Sequence, residues 1–146
     1  DARGVIAGVE EDFAGRFGRR YGTTEEYRYE DADVLVIAMG TLAREAGVAV
    51  DRLREEGVKA GVMRIRWFRP FPGLDLGGRE VVVVDRDYSF GFGGVLARSL
   101  TSTARIEPYS VIAGLGGQEV THGDIASFVR ERKQGEEHWF GVKADV

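Results

Sequence analysis

The feature that most constrains the fold is the uninterrupted apolar run Val34–Met39. A strand with one face in water alternates apolar and polar side chains. A strand buried on both faces is apolar throughout, and such strands are typical of parallel sheets covered by helices. A helical pattern follows at Leu42–Glu56, with apolar side chains along one face and Gly57 as a natural C-terminal cap. The sequence here predicts a buried strand followed by a helix.

The same alternation continues along the chain. We predict further strands at Lys59–Phe68, Glu80–Asp85 and Pro108–Ala113, and further helices at about Gly94–Thr101 and Gly123–Lys133. Thr121 and Asp124 approximate a capping box at the start of the last helix. Apolar strands that alternate with helices predict an α/β layered domain with a mostly parallel sheet.

The two ends of the chain give weaker signals. Apolar side chains spaced by four predict a short helix at Val9–Phe17, and Thr23–Tyr29 is interpreted as an extended or irregular connector. This lead-in is aromatic, so we expect it to pack against the domain or a partner. The tail from residue 135 contains Trp139 and Phe140 without periodicity. We therefore divide the chain into a lead-in (1–30), an α/β domain (31–134) and a tail (135–146).

Composition excludes several classes of function. The 146 residues contain no cysteine, which rules out disulfides, thiolate catalysis and cysteine-ligated iron–sulfur clusters within this chain. Twenty Lys and Arg against 24 Asp and Glu give a charge of −4, which argues against nucleic-acid binding. No apolar run approaches the roughly 20 residues that a membrane-spanning helix needs. Because the chain begins with Asp1 and not Met, we expect it to work within something larger.

The glycine-rich turn Gly91–Gly94 follows a strand and opens a helix, as a dinucleotide fingerprint does. The third glycine of that fingerprint would fall at position 96, which is Leu. Two interpretations stay open. The glycines serve either a tight turn with close helix–strand packing, or an anion site at a helix N-terminus.

The titratable residues form no recognisable catalytic set. Asp85 ends a strand, but the acidic pair and the Lys of a phosphoacceptor domain are missing. His122 lies beside the Thr121 cap, and neither it nor His138 has a carboxylate at metal-ligand spacing. Gly123-Asp124-Ile125 lacks the second glycine of the motif that opens a magnesium–diphosphate site in thiamine enzymes. We predict no catalytic, cofactor-binding or metal-ligating residue in this chain.

Seven segments in a fixed order carry a resemblance to a known family. They are Phe17–Tyr21, Glu25–Arg28, Asp31–Asp33, Met39–Thr41, Arg64–Pro72, Asp85–Gly91 and Ile112–Thr121. This series resembles the C-terminal part of the α subunit of pyruvate (2-oxoacid):ferredoxin oxidoreductases. The match extends from about Val9 to Lys133, and Asp87-Tyr88 departs from the amide-like pair expected there.

The resemblance implies a fold similar to the transketolase C-terminal domain. That fold is a three-layer α/β domain with helices on both faces of a mostly parallel sheet and one antiparallel edge strand. It also implies a cytoplasmic parent enzyme that forms acyl-coenzyme A and CO2 with thiamine diphosphate, Mg²⁺ and iron–sulfur clusters, and reduces ferredoxin. In this family the cofactor-binding parts lie in other domains or subunits. We therefore expect an assembly domain that binds other domains or subunits and is inactive alone.

Two loops predict where such a partner binds. Arg66–Gly73 and Asp85–Gly94 both follow apolar strands, and parallel strands bring such loops to one edge of the sheet. Arg and aromatic side chains are enriched in interface cores. The predicted interface consists of Arg66, Arg69, Phe71, Arg86, Tyr88, Phe90 and Phe92. The alternative is that some of these rings turn inward and cap the sheet. The alternative function is a free-standing module that binds a small anion or nucleotide at the Gly91–Gly94 turn.

Overall fold

The structure, a computed structural model, describes residues 2–142. Its helices are α1 (Ala2–Phe17), α2 (Gly40–Glu55), α3 (Val95–Ala104) and α4 (His122–Glu131). Its strands are β1 (Thr24–Tyr27), β2 (Val34–Met39), β3 (Ala60–Ile65), β4 (Glu80–Asp85), β5 (Tyr88–Ser89), β6 (Gly93–Gly94), β7 (Tyr109–Ile112) and β8 (Glu137–Trp139).

The main sheet has six strands in the order β1-β3-β2-β4-β7-β8. β1 is antiparallel to β3, and every other neighbouring pair is parallel. β5 and β6 form a separate antiparallel pair. The predicted α/β class and mostly parallel sheet are confirmed, and so is a single antiparallel edge strand.

Helices cover both faces of the sheet, which gives the predicted three layers. On one face, α2 and α4 pack against the side chains of Val36, Val84 and Val111. On the other face, α3 packs against the alternate residues, among them Ile37 and Val83. Because successive side chains of a strand point to opposite faces, the apolar run of β2 contributes to both cores.

The structure differs from the sequence prediction mainly at the two edges. The lead-in helix extends over the whole of α1, and none of its residues is buried. Residues 24–27, interpreted as an extended or irregular connector, form β1 because their main chain pairs with β3. β3 ends at Ile65 and not at Phe68. After it, the amides of Arg66 and Trp67 both donate to the carbonyl of Thr23.

The segment after residue 134 also contributes to the sheet. β8 pairs in parallel with β7, with His138 opposite Val111. Its burial pattern is mostly exposed, so it carries no apolar period that sequence analysis could detect. This short strand places Trp139 beside the end of β7.

Candidate functional site

The carboxyl ends of β2, β3, β4 and β7 lie at one edge of the sheet, because these strands are parallel. β3 and β4 flank β2 on either side. The loops 66–73 and 86–94 therefore leave the same edge about two strand spacings apart, or roughly 10 Å. We call this edge, with its two loops, the carboxyl edge.

Loop 86–94 presents aromatic rings to solvent. Phe90 is 96% exposed and Phe92 is 51% exposed. Tyr88 is half-buried between two rings: its centroid lies 5.8 Å from that of Phe90 and 4.4 Å from that of Trp139. We call Tyr88, Phe90, Phe92 and Trp139 the aromatic patch. Sequence analysis noted Trp139 in the tail but did not assign it to the interface, although an aromatic pair in a polar tail was a usable signal.

Loop 66–73 is more fully engaged within the chain. Arg66 Nη2 lies 2.7 Å from a carboxylate oxygen of Glu25 on β1, and its guanidinium carbon lies 5.3 Å from the ring centroid of Tyr21. Arg64 contacts the same Glu25 oxygen at 3.2 Å. Arg69 is exposed and lies over the Phe68 ring at 4.0 Å. Glu25 of the neighbouring strand β1 thus supplies the carboxylate that pairs with both Arg64 and Arg66.

The prediction that Phe71 is presented at the surface is wrong. Its side chain is only 7% exposed and belongs to the core cluster that includes Ile65 and Leu76. Its ring meets that of Phe68 edge-on at 6.0 Å. The ring turns inward because it covers the end of this core, so it is not available to a partner.

The first turn of α3 is occupied from within the chain. The Asp85 side chain is 5% exposed, and its two carboxylate oxygens accept hydrogen bonds of 3.0 Å from the amides of Leu96 and Ala97. Burial raises the pKa of Asp85 to about 6, against the lowering effect of these two hydrogen bonds. An anion at this helix N-terminus would compete with Asp85 for these two donors. The structure therefore contradicts the alternative of an anion site at Gly91–Gly94.

The glycines of that turn serve close packing. A Cβ on Gly94 would lie 2.6 Å from an Asp85 carboxylate oxygen and 2.8 Å from Ile112 Cδ1. Gly93 has a φ of +101°, which side chains of L-residues rarely adopt. The interpretation of close helix–strand packing is confirmed.

The remaining titratable candidates have structural contacts. The predicted capping box is confirmed, since Thr121 Oγ1 accepts from the Asp124 amide while the Asp124 carboxylate accepts from the Thr121 amide. The His122 amide donates to Glu45 at 3.2 Å. The ring of His138 lies between those of Tyr109 and Phe128. Across residues 2–142, no three His, Asp or Glu side chains come together in a way that could hold a metal ion.

No helix within residues 2–142 is both long enough and apolar enough to cross a membrane.

Comparison with known proteins places the chain in a family. Residues 32–125 match the family described as pyruvate:ferredoxin oxidoreductase core domain II. The chain is similar to pyruvate synthase subunit PorA of Methanothermobacter thermautotrophicus, with 34% identity over 99% of this chain and 40% of that subunit. It is 37% identical to ketoisovalerate oxidoreductase subunit VorA of Pyrococcus horikoshii, over 92% of this chain and 37% of that subunit. The chain thus spans about two fifths of the length of these relatives.

A solved structure agrees with the sequence matches. The 2-oxoglutarate:ferredoxin oxidoreductase of Magnetococcus marinus superposes with a TM-score of 0.59 and 25% identity, over 83% of this chain and 21% of that one. The fold, the order of motifs and the matched range lead to one assignment: this chain belongs to the pyruvate:ferredoxin oxidoreductase core domain II family.

Proposed function

We propose that this chain is an assembly domain of a cytoplasmic 2-oxoacid:ferredoxin oxidoreductase and carries none of its catalytic groups. The parent enzyme would use thiamine diphosphate, Mg²⁺, iron–sulfur clusters and coenzyme A to convert a 2-oxoacid into acyl-coenzyme A and CO2, with ferredoxin as electron acceptor. Relatives that are named as subunits of pyruvate synthase and ketoisovalerate oxidoreductase support this proposal. The partners would be the other domains and subunits of that complex.

The observation that carries the proposal is the exposed aromatic patch at the carboxyl edge. A ring that is 96% exposed, as in Phe90, leaves apolar surface in water that a partner would cover. Neighbouring aromatic side chains are typical of the energetic centre of an interface. Phe92 and Trp139 extend this surface, being 51% and 38% exposed.

Cationic side chains accompany the patch. Arg86 is exposed at the start of the same loop and makes no ion pair with any of residues 2–142. Arg69 lies on the other loop of the edge, also exposed. Arginine next to aromatic rings is the composition that interface cores favour. We therefore propose Arg69, Arg86 and the aromatic patch as the docking surface, with Arg66 at its margin.

Among residues 2–142, no set of side chains fits the diphosphate end of thiamine diphosphate. That group needs carboxylate or carbonyl oxygens free to hold Mg²⁺. Asp124, in the segment closest to such a motif, accepts from Thr121 in the capping box, and Asp85 is engaged by two backbone amides. No step of the reaction is assigned to the chain.

We expect the isolated chain not to bind the cofactor. Its melting temperature should stay unchanged when thiamine diphosphate and Mg²⁺ are added together, because no three His, Asp or Glu side chains among residues 2–142 come together in a way that could hold the metal. Thermal-shift titration measures this. A saturable rise in melting temperature that requires Mg²⁺ would contradict the proposal.

Assembly of the complete complex tests the docking surface. We expect Phe90→Ser with Phe92→Ser, in the full subunit, to weaken association with the other subunits at least about tenfold, since truncating interface rings costs about 2 kcal/mol or more. The isolated chain should keep its melting temperature, because the side chains of Phe90 and Phe92 are mostly in solvent, 96% and 51% exposed. Association is measured by size-exclusion chromatography of the co-expressed subunits over a dilution series.

Val48→Ser is the matched control, because Val48 is 46% exposed on α2, away from the carboxyl edge. It should leave association unchanged. Unchanged association in the Phe90 and Phe92 double variant would refute the docking surface. A melting temperature that falls in step with association would assign these rings to the fold instead.

A further inference from the structure

A groove opens to solvent between α2 and the edge strand β1. Its volume is about 310 Å³, the lower end of the range of about 300–1,000 Å³ that small-molecule sites occupy. Its walls include Glu25 and Tyr27 of β1, Arg64 of β3, and Ala43, Arg44 and Val48 of α2. The side chains of Arg44, Tyr27 and Val48 are all exposed, so a ligand can reach them without a change of fold.

Positive charge is in excess at one end of the groove. Arg44 makes no ion pair with any of residues 2–142. Arg64 and Arg66 share a single carboxylate oxygen of Glu25, at 3.2 and 2.7 Å. The amino end of α2, whose first turn carries no acidic residue, adds to the positive potential here. Three guanidinium groups are thus accompanied by one carboxylate.

The middle of the groove is apolar and is kept open by a glycine. A Cβ on Gly47 would contact Tyr27 Cδ1 at 4.0 Å, an ordinary distance, so packing does not require glycine here, although glycine weakens a helix relative to alanine. A longer side chain at this position would project into the groove. At the far end, Asp51 accepts hydrogen bonds from the Tyr27 hydroxyl at 3.0 Å and from Arg28 Nε at 2.9 Å. The negative charge at that end is therefore matched within the chain.

We propose that this groove binds a small organic carboxylate with an apolar or aromatic body, whose carboxylate pairs with Arg44 and Arg64. Glu25 takes up Nη1 of Arg64, and a guanidinium has further N–H donors for a ligand. Such pairs are among the stronger hydrogen bonds because both partners are charged. The body of the ligand would lie against Tyr27 and Val48 and remove apolar surface from water. The proposal does not rest on the assembly role, because the groove lies apart from the aromatic patch.

The probe for this chemistry is 3-phenylpropanoate, titrated into the ¹⁵N-labelled chain. We expect saturable shifts of the amide resonances of Gly47 and Val48, with a dissociation constant on the order of millimolar. Two related molecules separate the contributions of charge and body. 3-Phenylpropanamide is neutral and nearly the same shape, and acetate has the charge without the ring. Each should bind at least about fivefold more weakly than the probe.

Variants of the groove test which side chains hold the probe. Arg44→Gln should weaken binding by a similar factor, because it removes the charge and keeps most of the length. Glu25→Gln should tighten binding, because an internal carboxylate no longer competes for Arg64 and Arg66. Arg98→Gln is the control, since Arg98 is exposed on α3, which packs on the opposite face of the sheet, and it should have no effect. The amide spectrum checks that each variant is folded.

Several results would overturn the proposal. They are the absence of a saturable shift, equally tight binding of the amide or of acetate, unchanged binding by Arg44→Gln, and no gain in Glu25→Gln. All of these measurements use the chain alone. None depends on whether the complex assembles through the aromatic patch, so this proposal and the proposed function fail separately.

Discussion

Replacing Gly94 by alanine is expected to lower the free energy of unfolding by about 3 kcal/mol, the upper part of the range for overpacking a core. The new Cβ would lie 2.6 Å from an Asp85 oxygen, 2.8 Å from Ile112 Cδ1 and 3.1 Å from Ser110 Oγ, all in buried residues. Gly94 has φ −59° and ψ 123°, which alanine adopts freely. The expected loss is therefore steric and does not come from backbone strain.

Urea unfolding of the isolated chain measures this loss. Gly8→Ala is the control, because Gly8 lies within α1 and a Cβ there would contact nothing within 4 Å. That variant should be as stable as the original chain or slightly more so, since alanine favours a helix. A Gly94→Ala chain within about 0.5 kcal/mol of the original would show that α3 does not approach β4 as closely as described, given that surface substitutions alone cause changes of that size.

The second large effect is a pH dependence that comes from Asp85. Its pKa is raised from 3.8 to about 6 in the folded chain, primarily by burial. Below pH 3.8 the group is protonated in both states. Between pH 3.8 and pH 6, Asp85 is ionised in the unfolded chain but still protonated in the folded chain. Above pH 6 it is ionised in both states. A raised carboxyl pKa therefore makes the folded state less stable as pH rises through this window, by on the order of 3 kcal/mol.

The measurement compares the original chain with Asp85→Asn in urea unfolding at pH 4 and pH 7. We expect the stability of the original chain relative to the variant to fall by about 2 kcal/mol over this range. Asp12→Asn, at an exposed position, should differ from the original chain by the same free energy of unfolding at both pH values. If the free-energy difference between the original chain and Asp85→Asn is also the same at both pH values, the pKa of Asp85 is not raised. If the original chain instead gains stability over Asp85→Asn as pH rises, the two amide hydrogen bonds outweigh burial.

The central part of the fold could be predicted because its signals are local. β2 and β4 are continuous apolar runs, and the capping box joins residues three apart. The edge strands gave no such signal. β1 contains Glu25 and Glu26, and β8 is mostly exposed, so each exists because its main chain pairs with a partner strand and not because of its own pattern.

The candidate site was predictable only in part, because its decisive contacts are distant in sequence. The parallel strands placed both loops at one edge, as expected, and left Phe90 exposed. The inward turn of Phe71 depends on the core cluster around Ile65 and Leu76, which exists only once the sheet has formed. Asp85 meets α3 amides 11 and 12 residues away, and Trp139 reaches Tyr88 across 51 positions. No spacing rule connects such residues.

Turnover per assembled complex separates the proposed role of the domain in assembly from a role in chemistry. The complete complex of the proposed parent enzyme, with Phe90→Ser and Phe92→Ser, is isolated in its assembled fraction, and oxidation of the 2-oxoacid is followed by ferredoxin reduction. We expect less assembled complex with an unchanged kcat per assembled complex. Normal assembly with a kcat reduced about tenfold or more, a loss of about 1.4 kcal/mol of transition-state stabilisation, would place the carboxyl edge in the catalytic machinery and refute the assembly role.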